Sequence, residues 1–295
     1  MKSTLFAFLL CGFSLLSAQS YVLPDIAPLP RASKHYAEFM RLPTTPDPAF
    51  AHLDTVAYPL SRASGYALAF TFATPHYLTR EQVDFLIASV DPPANSSAQT
   101  RAEVAYLLDL QDGRTDPATE RVMDLARIGY WPDRNLLADD PNYAKNLASL
   151  FFSCREVVGE NCSAANYPAT ARLLAGLMQD MRLLEFAIKF NKRRARPYDV
   201  EPKIEPLQFM KSPSFASGHT LWAYIQAFAL AELLPGRRQE FLDLAYEIGA
   251  SREYMGVHYP SDEEAARRIA HRQLQLSWNT AKFQADFAAA LAEWR

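Results

Sequence analysis

Two histidines stand out by what surrounds them. His219 follows Ser217 and Gly218 at the head of an apolar run that continues to Leu234, and His258 stands four residues before Asp262. Unpartnered backbone N–H groups at a helix start hold anions, and a glycine there lets an anion approach the backbone closely, so Ser217, Gly218 and His219 can form an oxyanion cradle. A histidine four residues before an aspartate at a helix start can donate its Nδ1 proton to the carboxylate, leaving Nε2 as a free lone pair fit for a nucleophile. A third stretch, Lys189-Phe190-Asn191-Lys192-Arg193-Arg194-Ala195-Arg196-Pro197, gathers five positive charges in the eight residues before a proline, in a chain of formal net charge −3. Each feature alone has an ordinary explanation. A serine caps many helices, a surface histidine often sits beside a capping aspartate, and cations collect at helix C-termini because the macrodipole favours them there.

Their order along the chain is more specific. Lys189 with Arg196 and Pro197, then Ser217-Gly218-His219, then Ser251-Arg252 with His258 resembles the three-part signature of the type 2 phosphatidic acid phosphatase superfamily. Within it, the stretch from Phe215 to about Ala270 is most similar to the soluble secreted branch, the bacterial class A nonspecific acid phosphatases. The likeness is close from about Ala187 to Ala270 and looser before that. One position departs from the pattern: Ala216 stands where the family has proline, which bears on the stiffness of the loop and removes no functional atom.

The resemblance implies a metal-independent hydrolysis of phosphate monoesters through a phosphohistidine. Lys189, Arg196 and Arg252, with Ser217 and the Gly218 amide, would bind the phosphate oxygens. His258 would attack phosphorus, oriented by Asp262, and His219 would protonate the leaving oxygen. Phosphoryl transfer is mostly positioning and charge neutralisation, so three fixed cations can do what metal ions do elsewhere. No cofactor is expected, and vanadate would enter the cage as a phosphate mimic. Two other readings share the motifs: a vanadium-dependent haloperoxidase, and a non-catalytic phosphate- or nucleotide-binding protein. A binding protein, however, has no use for two histidines placed for in-line attack. The family also implies a homo-oligomer.

The elements that must position these residues read as helices. Gly is scarce, 10 in 295, while Ala and Leu crowd the second half, so the expected fold is an all-α, single-domain multi-helix bundle of the phosphatase/haloperoxidase type. Thr79 with Gln82 starts one helix as a capping box; others are expected over 100–110, 117–128, 143–152 and 168–194, the last entered at Pro168 and ended by Arg196-Pro197. After an irregular loop over 198–216, helices follow over 218–233, over 237–255 and from Asp262 into the tail, with Ser261 and Glu264 as the last capping pair. Residues 21–60 carry seven prolines and are expected to lie extended, with a short helix around Lys34 to Met40, over a domain spanning 61–295.

Residues 1–20 read as a secretory signal peptide: Lys2, an apolar run from Leu5 to Leu16, then small residues cut near Ala18 to Ser20. The run is shorter than the roughly 20 residues that cross a bilayer. A periplasmic or secreted protein with no membrane span follows, and in that oxidising compartment Cys154 and Cys162 pair as a disulfide. His35, His52, His76 and His271 have no motif partners and are assigned structural or surface places. The net negative charge argues against a nucleic-acid polymer as partner.

Overall fold

A computed structural model describes residues 26–128 and 143–295, so the expected signal peptide lies outside the described residues. The helices in chain order are α1 (Lys34–Phe39), α2 (Gly65–Ala69), α3 (Arg80–Ala88), α4 (Ala98–Asp112), α5 (Asp116–Ile128), α6 (Tyr143–Leu150), α7 (Phe152–Val158), α8 (Pro168–Lys192), α9 (Pro197–Val200), α10 (Gly218–Leu233), α11 (Arg238–Tyr254), α12 (Pro260–Trp278) and α13 (Ala281–Glu293). Among the described residues there is no strand, only an isolated bridge between Ala57 and Arg194. The all-α expectation therefore holds.

The bundle is organised around α10. Nearly its whole circumference is apolar, and Leu221, Trp222, Ile225, Phe228 and Leu230 are buried. A helix apolar on every side must be enclosed, and α8, α11 and α12 enclose it. At about 1.5–3 kcal/mol for each large apolar side chain removed from water, this burial fixes α10 more firmly than intrinsic propensity could. The site is built on the N-terminal end of this helix.

Several boundaries differ from expectation for identifiable reasons. Helix α8 stops at Lys192, two residues before the end expected near Arg194, because Arg193 adopts a left-handed conformation (φ 49°) and its N–H closes on the Lys189 carbonyl. Helix α12 is capped at Tyr259 rather than Ser261: Asp262 accepts from the Tyr259 N–H at 3.1 Å, which leaves the Ser261 hydroxyl for Glu103. The tail breaks at Asn279, and Thr280 caps α13 afresh by accepting from the Phe283 N–H. The expected 143–152 helix is two short ones, α6 and α7.

The proline-rich segment is not wholly extended. It carries the expected short helix as α1 and, beyond that, a run of 3-10 turns over Pro48–Thr55, and is tied down by Tyr36 Oη donating to Glu253 Oε1 at 2.8 Å. The unassigned histidines have structural or surface places as expected: His271 Nε2 lies 3.0 Å from the Ala27 carbonyl, and His52 is exposed.

Cys154 and Cys162 are joined, with Cα atoms 5.8 Å apart, across a sequence separation of 8. Closing so short a loop should stabilise the fold by about 2–3 kcal/mol. Denaturant titration of the Cys154→Ser/Cys162→Ser double variant is expected to show a loss of that size with activity retained. A loss under 1 kcal/mol would mean the bridge constrains little.

Candidate active site

The cationic stretch divides by helix phase and by the turn that ends α8. Lys189, still helical, faces inward and is buried; its Nζ donates to the Pro213 and Ser214 carbonyls at 2.9 and 3.0 Å. Lys192 faces out to pair with Asp91 at 2.7 Å. Past the left-handed Arg193, Arg194 and Arg196 turn inward and are buried. The solvated-helix-end explanation is thus right for the exposed Arg193 and wrong for Lys189, Arg194 and Arg196.

Arg196 and His258 meet directly. Arg196 Nη1 stands 2.9 Å from His258 Nε2 and also donates to the Val257 carbonyl at 2.7 Å, while His258 Nδ1 is 3.1 Å from Asp262 Oδ2. A guanidinium can only donate, so Nε2 must accept and the ring proton is on Nδ1. This is the tautomer the sequence predicts for a nucleophile. Burial, then the Arg196 charge, pushes the His258 pKa well below its ordinary value, so the imidazole is neutral.

Behind His258 lies a network that motif reasoning did not reach. Burial alone would raise the Asp262 pKa, but the Arg194 charge and the hydrogen bonds from His258 and Ser214 overcome it and hold the carboxyl well below the usual carboxylate range. Arg194 donates to Asp262 Oδ1 at 2.7 Å and reaches Glu103 Oε2 at 3.4 Å, with its guanidinium carbon 3.9 Å from the centre of the Tyr259 ring. Ser214 Oγ donates to Asp262 Oδ2 at 2.6 Å. In the sequence Arg194 is one more cation in a run, and Glu103 is some ninety residues away on α4. No local spacing links them.

At the head of α10, Ser217 is buried and its hydroxyl accepts from the Thr220 N–H at 3.5 Å, so it serves the helix as its cap. The Gly218 and His219 amides, first in the helix, have no acceptor among the described residues. His219 is half-buried and its Nε2 donates to the Ala126 carbonyl at 2.9 Å. Burial, then Arg252, lowers its pKa well below the ordinary value.

These groups open on a cavity of about 820 Å³. Lys189, Arg196, Gly218, His219 and His258 line it, with Phe186, Met123, Phe209 and Met210 as apolar wall. Ser217, Asp262 and Arg252 are not on that wall. Arg252 is wholly buried with Nη1 2.8 Å from Met255 Sδ and Nη2 3.9 Å from Sδ of the cavity-lining Met210. Its Nε has no hydrogen-bond partner, and the contacts its Nη atoms make are to sulfur. Burial lowers its pKa to about 10, still far above working pH. Burial first, then the Arg196 charge, brings Lys189 down to about 7. Among the described residues no group of three His, Cys, Asp or Glu side chains is arranged to hold a metal, and no helix is long and apolar enough to cross a membrane.

The all-α bundle thus gathers buried cations, helix-start amides and an Asp-oriented neutral histidine around one cavity, an arrangement with the chemistry to hold a tetrahedral oxyanion beside a nitrogen lone pair. Residues 169–282 match the family model of the PAP2 superfamily. Among its relatives are the non-specific acid phosphatase of Salmonella typhimurium, 27% identical over 206 residues covering 64% of this chain and 78% of the relative, and that of Providencia stuartii, 27% identical over 232 residues covering 74% and 84%. A solved structure of a bacterial vanadium-dependent iodoperoxidase overlaps 65% of this chain and 52% of its own, at 19% identity and a TM-score of 0.47.

Proposed function

We propose that the protein is an acid phosphatase that hydrolyses small phosphate monoesters through a phosphohistidine, without a metal, after export to the periplasm or beyond. The observation that carries this reading is the polarity at His258: Nε2 accepts from Arg196, so the atom that would attack is unprotonated and turned toward a buried cation. A bound phosphate would take over that guanidinium as ligand and present phosphorus to the freed lone pair.

In the first step the bond from His258 Nε2 to phosphorus forms as the ester P–O bond breaks, and His219 gives a proton to the departing oxygen. In the second, water attacks phosphorus and the P–N bond breaks. Orthophosphate leaves, and the proton lost by the water returns to His219. Lys189, Arg196 and the Gly218 and His219 amides offset the equatorial charge, with Arg252 adding its field from behind Met210. Asp262 stabilises the charge that His258 acquires. Burial, then the Arg252 charge, keeps His219 neutral, and a bound phosphate's negative charge opposes the second of these and favours the proton that His219 gives to the leaving oxygen.

Turnover of a chromogenic phosphate monoester tests this. Activity is expected to survive EDTA, because buried cations already neutralise the phosphate. kcat/KM, which reports the free enzyme, is expected to fall as pH rises through about 7, where Lys189 loses its charge. Loss of activity in EDTA with rescue by a divalent ion would overturn the metal-free reading. Peroxide-dependent halogenation with added vanadate, in place of hydrolysis, would assign a haloperoxidase.

A further inference from the structure

The wall of the cavity carries a carboxylate where an anion site would be expected to exclude one. Glu185, on α8 one turn before Lys189, lines the cavity and is 6% exposed. Its two oxygens have different surroundings. Oε2 accepts from Arg182 Nη1 at 3.0 Å, whereas no donor among the described residues reaches Oε1. Oε1 is the oxygen turned toward the head of α10: a Cβ built on Gly218 would meet the Glu185 carboxyl carbon at 2.5 Å and Oε1 closer still. Gly218 is therefore required because the carboxylate packs against its Cα, beside the amides that would receive a phosphate.

The other ionisable groups facing this carboxylate are cations or neutral imidazoles. Arg182 and Lys189 lie on its own helix, His219 on α10, and Arg196 and His258 in the loops before α9 and α12. Across the cavity stand Arg127 of α5, Lys145 of α6 and Lys211 of the loop after α9. Among the described residues Glu185 is the one carboxylate in the lining, and Oε1 is an acceptor with nothing to accept. A fully ionised phosphate also offers only acceptors, so oxygen would face oxygen with like charge. One proton between them turns that repulsion into a short, charge-assisted hydrogen bond.

We propose that Glu185 is a specificity-determining residue that admits anions able to share a proton with it, the P–OH of a monoanionic phosphate donating to Oε1. The inference rests on the cavity being a phosphate site. It predicts discrimination against sulfate, which has the same tetrahedral shape but is a dianion that carries no proton near neutral pH.

The test is competitive inhibition of monoester hydrolysis by inorganic phosphate and by sulfate at pH 6, where Lys189 is still charged. In the unaltered enzyme sulfate is expected to bind about 10- to 100-fold more weakly than phosphate, the range for losing a charged hydrogen bond and leaving its partner unpaired. Glu185→Gln, whose amide can donate to either anion, is expected to bring the two within about threefold. A merely structural Glu185 would weaken both anions alike and leave their ratio unchanged, and that result would overturn the proposal. So would sulfate binding as tightly as phosphate in the unaltered enzyme, a comparison that needs no variant. If neither anion competes in the unaltered enzyme, the phosphate-site reading itself fails.

Discussion

Replacing His258 by alanine is expected to lower kcat for a phosphate monoester by about 10⁴-fold or more, roughly 5 kcal/mol of barrier. The size follows from what is lost. The cavity offers His258 Nε2 as an oriented nitrogen lone pair, with its tautomer fixed by Asp262 on one side and Arg196 on the other. Without it the remaining cations and amides can still bind phosphate, so KM should change far less than kcat, the pattern for a group that acts in the transition state. The variant also leaves Arg196 Nη1 with the Val257 carbonyl as its one acceptor, so its fold should be checked by thermal denaturation before the loss is assigned to chemistry. Retention of more than about one per cent of wild-type kcat in a folded variant would mean that something other than His258 carries the phosphoryl group.

Removing Arg194 is expected to cost about 3–5 kcal/mol of stability, a large part of the roughly 5–15 kcal/mol that holds a typical domain together. Arg194 touches no part of the cavity wall. Its worth lies in neutralising Asp262 and Glu103, both fully buried, while its plane stacks on Tyr259. Alanine there would leave two carboxylates in the interior with no cation between them. Lysine should rescue little, because a point charge on a flexible stem cannot span Asp262, Glu103 and Thr100 as the guanidinium does at 2.7, 3.4 and 3.1 Å. The sign with pH can be worked out from Asp262. Its pKa is depressed in the fold, so its contribution is full above the unfolded value near 4 and is lost as pH falls below it. Urea unfolding of wild type and Arg194→Ala at pH 7 and at about pH 2.5, well below the unfolded value, checks both points. A loss below about 1 kcal/mol at pH 7 would show that the buried carboxylates are relieved in some other way.

The parts of this account that were legible in the sequence are those set by local spacing. Thr79 and Gln82 do form a capping box, and Ser217 does open a helix that runs to Leu233, because cap chemistry acts over three residues and needs no tertiary knowledge. His258 and Asp262 meet because four residues across a helix start bring them together. What remained hidden depends on contacts across the bundle. Nothing within reach of Arg194 in the sequence distinguishes it from Lys192, yet one is buried against Glu103 of α4 and the other faces Asp91. Glu185 reads as an ordinary charged residue in a long helix until Gly218 is brought against it. The end of α8 was misplaced because proline at 197 is a visible stop, whereas the left-handed turn at Arg193 has no residue signature such as glycine to announce it.

The most direct test of the phosphohistidine account is to catch the intermediate. Enzyme mixed with a ³²P-labelled monoester and quenched in denaturant without acid, within a single turnover, is expected to carry about one label per active chain, on the peptide that contains His258, stable to base and released by acid. Label on the His219 peptide, or no covalent phosphate in a quench fast enough to precede product release, would contradict the account.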